Sequence, residues 1–143
     1  MNTLTRLFCI GALALATGCA HGPATADSTY QGLGGQSGIK KIVATFVPIV
    51  MADPRINESF RDTDLKNLSM RLEEQFCELS GGPCKYKGKD MKDIHDGLNI
   101  TNAQFNALAE DLQAAMDKHG VAPAVQNKLV AKLAPMQKDV VTK

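Results

Sequence analysis

From Ser37 onward, apolar residues recur every three or four positions, and no segment alternates convincingly at period two. This restricts the fold more than any other feature, because a face repeating at that interval is buried by a helix and not by a strand. Ile39, Ile42, Val43, Phe46, Val47 and Val50 form the first stripe. Leu65, Leu68, Leu72, Phe76 and Leu79 form the second, and Phe105, Leu108, Leu112 and Met116 the third. Val125, Leu129, Leu133, Met136 and Val140 form the last. Between the second and third, "KYKGKDMKDIHDGL" reads as a loop followed by a short helix carrying Met91, Ile94, His95 and Leu98. The fold class is all-α: four main helices, one short one and brief connections.

Punctuation marks the helix ends. Ser37 is a possible N-cap for the first helix, and Pro48 inside it predicts a bend or an early end, since it cannot donate to the Ala44 carbonyl. Thr63 or Asp64 can cap the second helix, and Gly81-Gly82-Pro83 stops it. Thr101 with Gln104 spells a capping box. Pro123 opens the last helix, and Pro135 predicts a kink within it.

Charges nearly balance, at a formal +1, and there is no basic stripe, which argues against a nucleic-acid partner. The N-terminus reads as a targeting segment rather than as part of the fold. "LFCIGALALA" is too short for a membrane-spanning helix, which needs about 20 residues, and the small residues of "TGCAHG" follow it. The order resembles a bacterial lipoprotein signal, which implies cleavage after residue 18 and acylation of Cys19. An ordinary cleaved signal ending near Ala20 or Ala26 is the alternative. On the lipoprotein reading, residues 1–18 are the signal and residues 19–29 a flexible tether. Several acyl chains then anchor the protein on the periplasmic side of a bacterial membrane. Ala20 after the cysteine favours the outer membrane by the same resemblance. Residues 30–143 form one small domain.

Of the three histidines, His21 lies in the tether and His119 precedes a helix-ending glycine, where a cation suits the helix dipole. His95 sits within an apolar beat between Ile94 and Leu98. Spacing alone favours a core or surface histidine over a ligand, and one histidine without nearby partners does not make a zinc site.

A wider pattern changes that weighting. "YQGLGG", "FVPIVMADPRINESF", "FCELSGGPCKYKGKDM", "HDGLNITNAQF" and "VAPAVQNKLVAKLAPMQKDVV" follow one another in order. From Tyr30 to the C-terminus the chain resembles the group I truncated globins. The resemblance implies a two-over-two α-helical sandwich around a b-type haem, with His95 as the proximal iron ligand. A histidine there leaves the opposite face of the iron free for a gas. Its second nitrogen needs a partner, and the Met91 carbonyl, four residues back, is the candidate. By the same resemblance Phe60 packs on the porphyrin, Tyr86 and Met91 border the pocket, and Arg71 reaches a propionate. Phe46, Phe76, Ile100, Phe105 and Leu129 supply walls.

Over the open face the matching positions are Val47, Leu68 and Leu72, where relatives often hold a tyrosine or glutamine. The expectation is a reversible binder of dioxygen or another diatomic gas with an apolar distal pocket. Gln75, three residues after Leu72, is a possible substitute donor, and Met70 a possible internal sixth ligand. The alternative is a nitric-oxide or reactive-oxygen detoxifying haem enzyme. Nitric-oxide dioxygenation would need an electron donor that the sequence does not identify.

With Cys9 removed and Cys19 acylated, Cys77 and Cys84 remain, flanking the "ELSGGP" turn. Outside the cytoplasm such a pair can oxidise, and a disulfide is expected. The ring is too small to contribute more than about 2.5 kcal/mol by loop entropy.

Overall fold

The computed structural model describes residues 29–143, so the signal, Cys19 and the tether through residue 28 lie outside it. Among the described residues no strand occurs. The helices are α1 (Thr29–Gly32), α2 (Gly35–Ala52), α3 (Leu65–Leu79), α4 (Met91–His95), α5 (Asn102–Lys118), α6 (Pro123–Leu133) and α7 (Gln137–Val140). Short 3-10 turns occupy Asn57–Phe60 and Ala134–Met136.

The caps follow local chemistry. The Asp64 carboxylate accepts the backbone N–H groups of Lys66 and Asn67 at the start of α3. Thr101 and Gln104 form the reciprocal capping box of α5. At the end of α3, Gly81 takes a left-handed φ of 85°, which a side chain would disfavour. Pro135 cannot donate to the Ala131 carbonyl, and the closing helix divides there: α6 stops at Leu133, a 3-10 turn intervenes, and α7 resumes.

Three expectations are corrected. α2 begins at Gly35 rather than after Ser37. It also runs through Pro48 to Ala52. Pro48 and Ala44 both lie on its exposed side, where water can serve the carbonyl that the proline leaves without a donor. Thr29, assigned to the tether, is buried and opens α1, and the next residue's N–H bonds the Ser80 carbonyl at 3.0 Å.

Helix α2 packs on both α3 and α5, while α3 and α5 each touch α6. The result is two helix pairs laid against one another. Ile39, Ile42, Val43, Met116 and Leu129 are fully buried where the pairs meet. Each such side chain contributes roughly 1.5–3 kcal/mol of burial free energy. Phe46 of α2 and Phe76 of α3 approach at 6.3 Å between ring centroids, tilted by 47°. Helix α4 stands apart from this core and rests on α7. A slot is left between α3 and the α4–α7 side.

Candidate functional site

Two contiguous cavities fill that slot, with volumes of about 160 and 470 Å3. Both are lined by His95, Phe60, Leu68, Arg71, Tyr86 and Phe105. The smaller runs inward, past Val47, Leu72, Gln75 and Phe76 on one side and Met91, Leu133 and Met136 on the other. The larger opens outward past Asp64, Asn67, Lys87, Lys89 and Ile100. The inner lining is almost entirely apolar.

His95 ends α4, a helix whose start is capped by the Asp90 carboxylate accepting from the Lys92 N–H at 2.8 Å. His95 Nδ1 lies 2.7 Å from the Met91 carbonyl oxygen. A carbonyl can only accept, so Nδ1 is the donor, and in the neutral ring Nε2 then keeps its lone pair. That is the tautomer a metal-binding imidazole requires. Just beyond, Gly97 and Asn99 both turn left-handed, and the Ile100 carbonyl accepts the N–H groups of Thr142 and Lys143 at 3.0 and 3.2 Å. The C-terminus thus pins the segment following the histidine.

The loop between α3 and α4 is fastened to α3 at three places. Cys77 and Cys84 are joined by a disulfide, with Cα atoms 5.7 Å apart. Glu78 accepts the Tyr86 N–H at 2.7 Å, and Glu74 accepts the Lys87 N–H at 3.0 Å. Those backbone donors are the main reason both carboxyls titrate below the usual carboxylate range. Arg71 adds a 2.8 Å bond to Glu74, which leaves guanidinium N–H groups for an anion at the slot. Tyr86 folds over Gly88, where any Cβ would overlap the ring, and its hydroxyl donates to the Lys89 carbonyl at 3.0 Å. Burial pushes its phenol above the ordinary value.

Residues 28–142 match the model of the bacterial-like globin family. The chain belongs to that family. It is 35% identical over 117 residues to a group 1 truncated haemoglobin of Tetrahymena pyriformis, a match covering 82% of this chain and 97% of that protein. It is 31% identical over 116 residues to one from Tetrahymena thermophila, covering 81% and 96%. The crystal structure of the T. pyriformis protein in its Fe(III) form superposes with a TM-score of 0.77, covering 80% of this chain and 98% of that one. These relatives place the globin among the group 1 truncated haemoglobins.

The cofactor of a globin is haem, and the residues of this slot fit one. The inner walls are apolar, one imidazole faces the space, and the Arg71 guanidinium stands where the two cavities join. Ile94 and Leu98, exposed by 41% and 48%, line the slot beside His95 and suit a flat apolar partner. Of the positions implied by the resemblance, Ile100 borders only the outer cavity. Leu129 is not on either wall: it is fully buried in the helix-pair core. Met70 is 45% exposed and lies outside both cavities, which puts it in no position to serve as an internal ligand.

Sequence reasoning missed Glu74 and Glu78, whose i, i+4 spacing on α3 was the available signal. It also missed Val50, Met136 and Val140 as lining residues. His119, read as structural, pairs its Nε2 with the Thr45 hydroxyl at 2.8 Å, away from the slot.

Proposed function

We propose that this globin holds a b-type haem through Nε2 of His95 and reversibly binds dioxygen or another diatomic gas on the opposite face. The 2.7 Å bond between His95 Nδ1 and the Met91 carbonyl carries this reading, because it selects the tautomer that leaves Nε2 available. When bound, the haem supplies an iron centre with one position open to a gas. The protein's part is to hold the group, shape the open face and keep water out. Val47, Leu68 and Leu72 present only hydrocarbon there, so a bound gas receives no N–H or O–H from them. Arg71, held by its bond to Glu74, would receive a propionate.

The absorption spectrum tests the reading. Purified protein supplied with hemin develops a Soret band, and His95→Ala loses it or shows altered ligation. A colourless wild-type product, or a variant with unchanged ligation, refutes the assignment.

The N-terminal sequence supports a further part of the reading: acylation of Cys19 and residence on the periplasmic side of a bacterial membrane. Cys19→Ala is then released from the membrane fraction into the soluble periplasm. Wild-type protein already found there in full argues for the ordinary cleaved signal.

A further inference from the structure

One polar group in the inner cavity has no part in the reading above. Gln75 follows Leu68 and Leu72 along the cavity face of α3 and is only 8% exposed. Burying an amide among hydrocarbon is unfavourable unless its hydrogens find acceptors. Its Nε2 lies 3.5 Å from the Met91 sulfur and 3.6 Å from the Met136 sulfur. Two N–H bonds thus face two thioethers, and none is left to meet a gas.

Met91 is engaged twice: its sulfur accepts from Gln75, and its carbonyl accepts from His95 Nδ1 at 2.7 Å. Helix α4 is five residues long, with Ile94 N–H to the Asp90 carbonyl at 3.1 Å closing its first turn. So short a helix cannot hold its own position, and side-chain anchors decide where it sits. Gln75 is such an anchor, joining α3 to α4 and to the turn before α7 at the inner end of the slot.

The geometry points to Gln75 as a positioning residue for the proximal histidine. It fixes Met91, and through the Met91 carbonyl it sets how strongly His95 Nδ1–H is hydrogen-bonded. That bond in turn sets the electron donation of Nε2 to the iron. The inference rests on His95 being the iron ligand.

The test is resonance Raman spectroscopy of the haem-loaded ferrous protein, comparing wild type with Gln75→Leu and Met91→Leu. The iron–histidine stretching band broadens and moves to lower frequency in both variants, while the C–O stretch of the carbon monoxide complex stays in place. Hydrogen exchange across residues 90–98 quickens in both. An unmoved iron–histidine band overturns the proposal. So does a shifted C–O stretch in Gln75→Leu, which would make the amide a donor to the gas. Should either variant fail to take up haem, the other and the exchange comparison decide. His95→Ala separates the premises: an iron–histidine band surviving that change refutes the ligation and the relay with it, whereas its loss there, beside an unmoved band in Gln75→Leu and Met91→Leu, refutes the relay alone.

Discussion

Leu72→Gln places an amide in the inner cavity beside Val47 and Leu68, on the face proposed to meet the gas, and its effect measures what that apolar face does. A hydrogen bond to a group bearing partial charge is worth roughly 1.5–3 kcal/mol, so dioxygen release slows by about ten- to hundredfold. Stopped-flow dissociation kinetics read this directly, and an unchanged rate would show that a donor at position 72 does not reach the ligand. The same residue scale shows what a sequence can and cannot convey. The partner of His95 was legible because it lies one helical turn back, at a spacing the helix itself imposes. The partners of Gln75 were not, because they come from 16 and 61 positions further along the chain. Leu129 shows the same limit. Its apolar beat specifies burial, but whether it faces the slot or the junction of the helix pairs depends on packing.

Helices and their ends were legible where the signal is local. Asp64, the Thr101–Gln104 box and Pro135 act within a few residues of themselves, and each terminus follows from its own chemistry. Helix α1 was missed because Thr29–Gly32 has no apolar period; its attachment comes from Ser80 and from packing on α6. The loop between α3 and α4 offers the sharpest test of an element. Replacing Cys77 and Cys84 together by serine removes its covalent tie to α3, and the loop-entropy model gives a loss of about 2.5 kcal/mol. Denaturant unfolding of oxidised wild type against the double variant measures the difference. Glu74 and Glu78 still hold Lys87 and Tyr86 in the variant, so the fold and the haem spectrum persist. Two free thiols in wild-type protein made in an oxidising compartment and purified without reductant would show that the bond does not form.

Taken whole, the molecule carries two opposing acid responses where α2 and α5 meet. Arg55 donates to Asp53 and to Glu110, and its hydrogen bonds hold the Asp53 carboxyl below the usual range. Asp111, only 6% exposed, leaves Oδ2 buried without a hydrogen-bond partner. Burial first, and then the neighbouring Asp53 charge, push its carboxyl upward. Asp53, lowered on folding, contributes stability above its unfolded value and loses it as pH falls through the folded one. Asp111, raised on folding, is least costly below its unfolded value, and stability is lost as pH rises through its folded value. Asp111→Asn removes that charge and therefore stabilises the globin near neutrality, raising its melting temperature above that of wild type. The gain shrinks as the medium approaches about pH 4, where an aspartate in the unfolded chain is itself half protonated. Asp53→Asn behaves oppositely, destabilising at neutrality and converging on wild type in acid. Thermal unfolding of the three proteins across this range checks both signs. A gain for Asp111→Asn that is independent of pH would mean that the native carboxyl is not ionised at neutrality, and that the unmatched oxygen rather than its charge carries the cost.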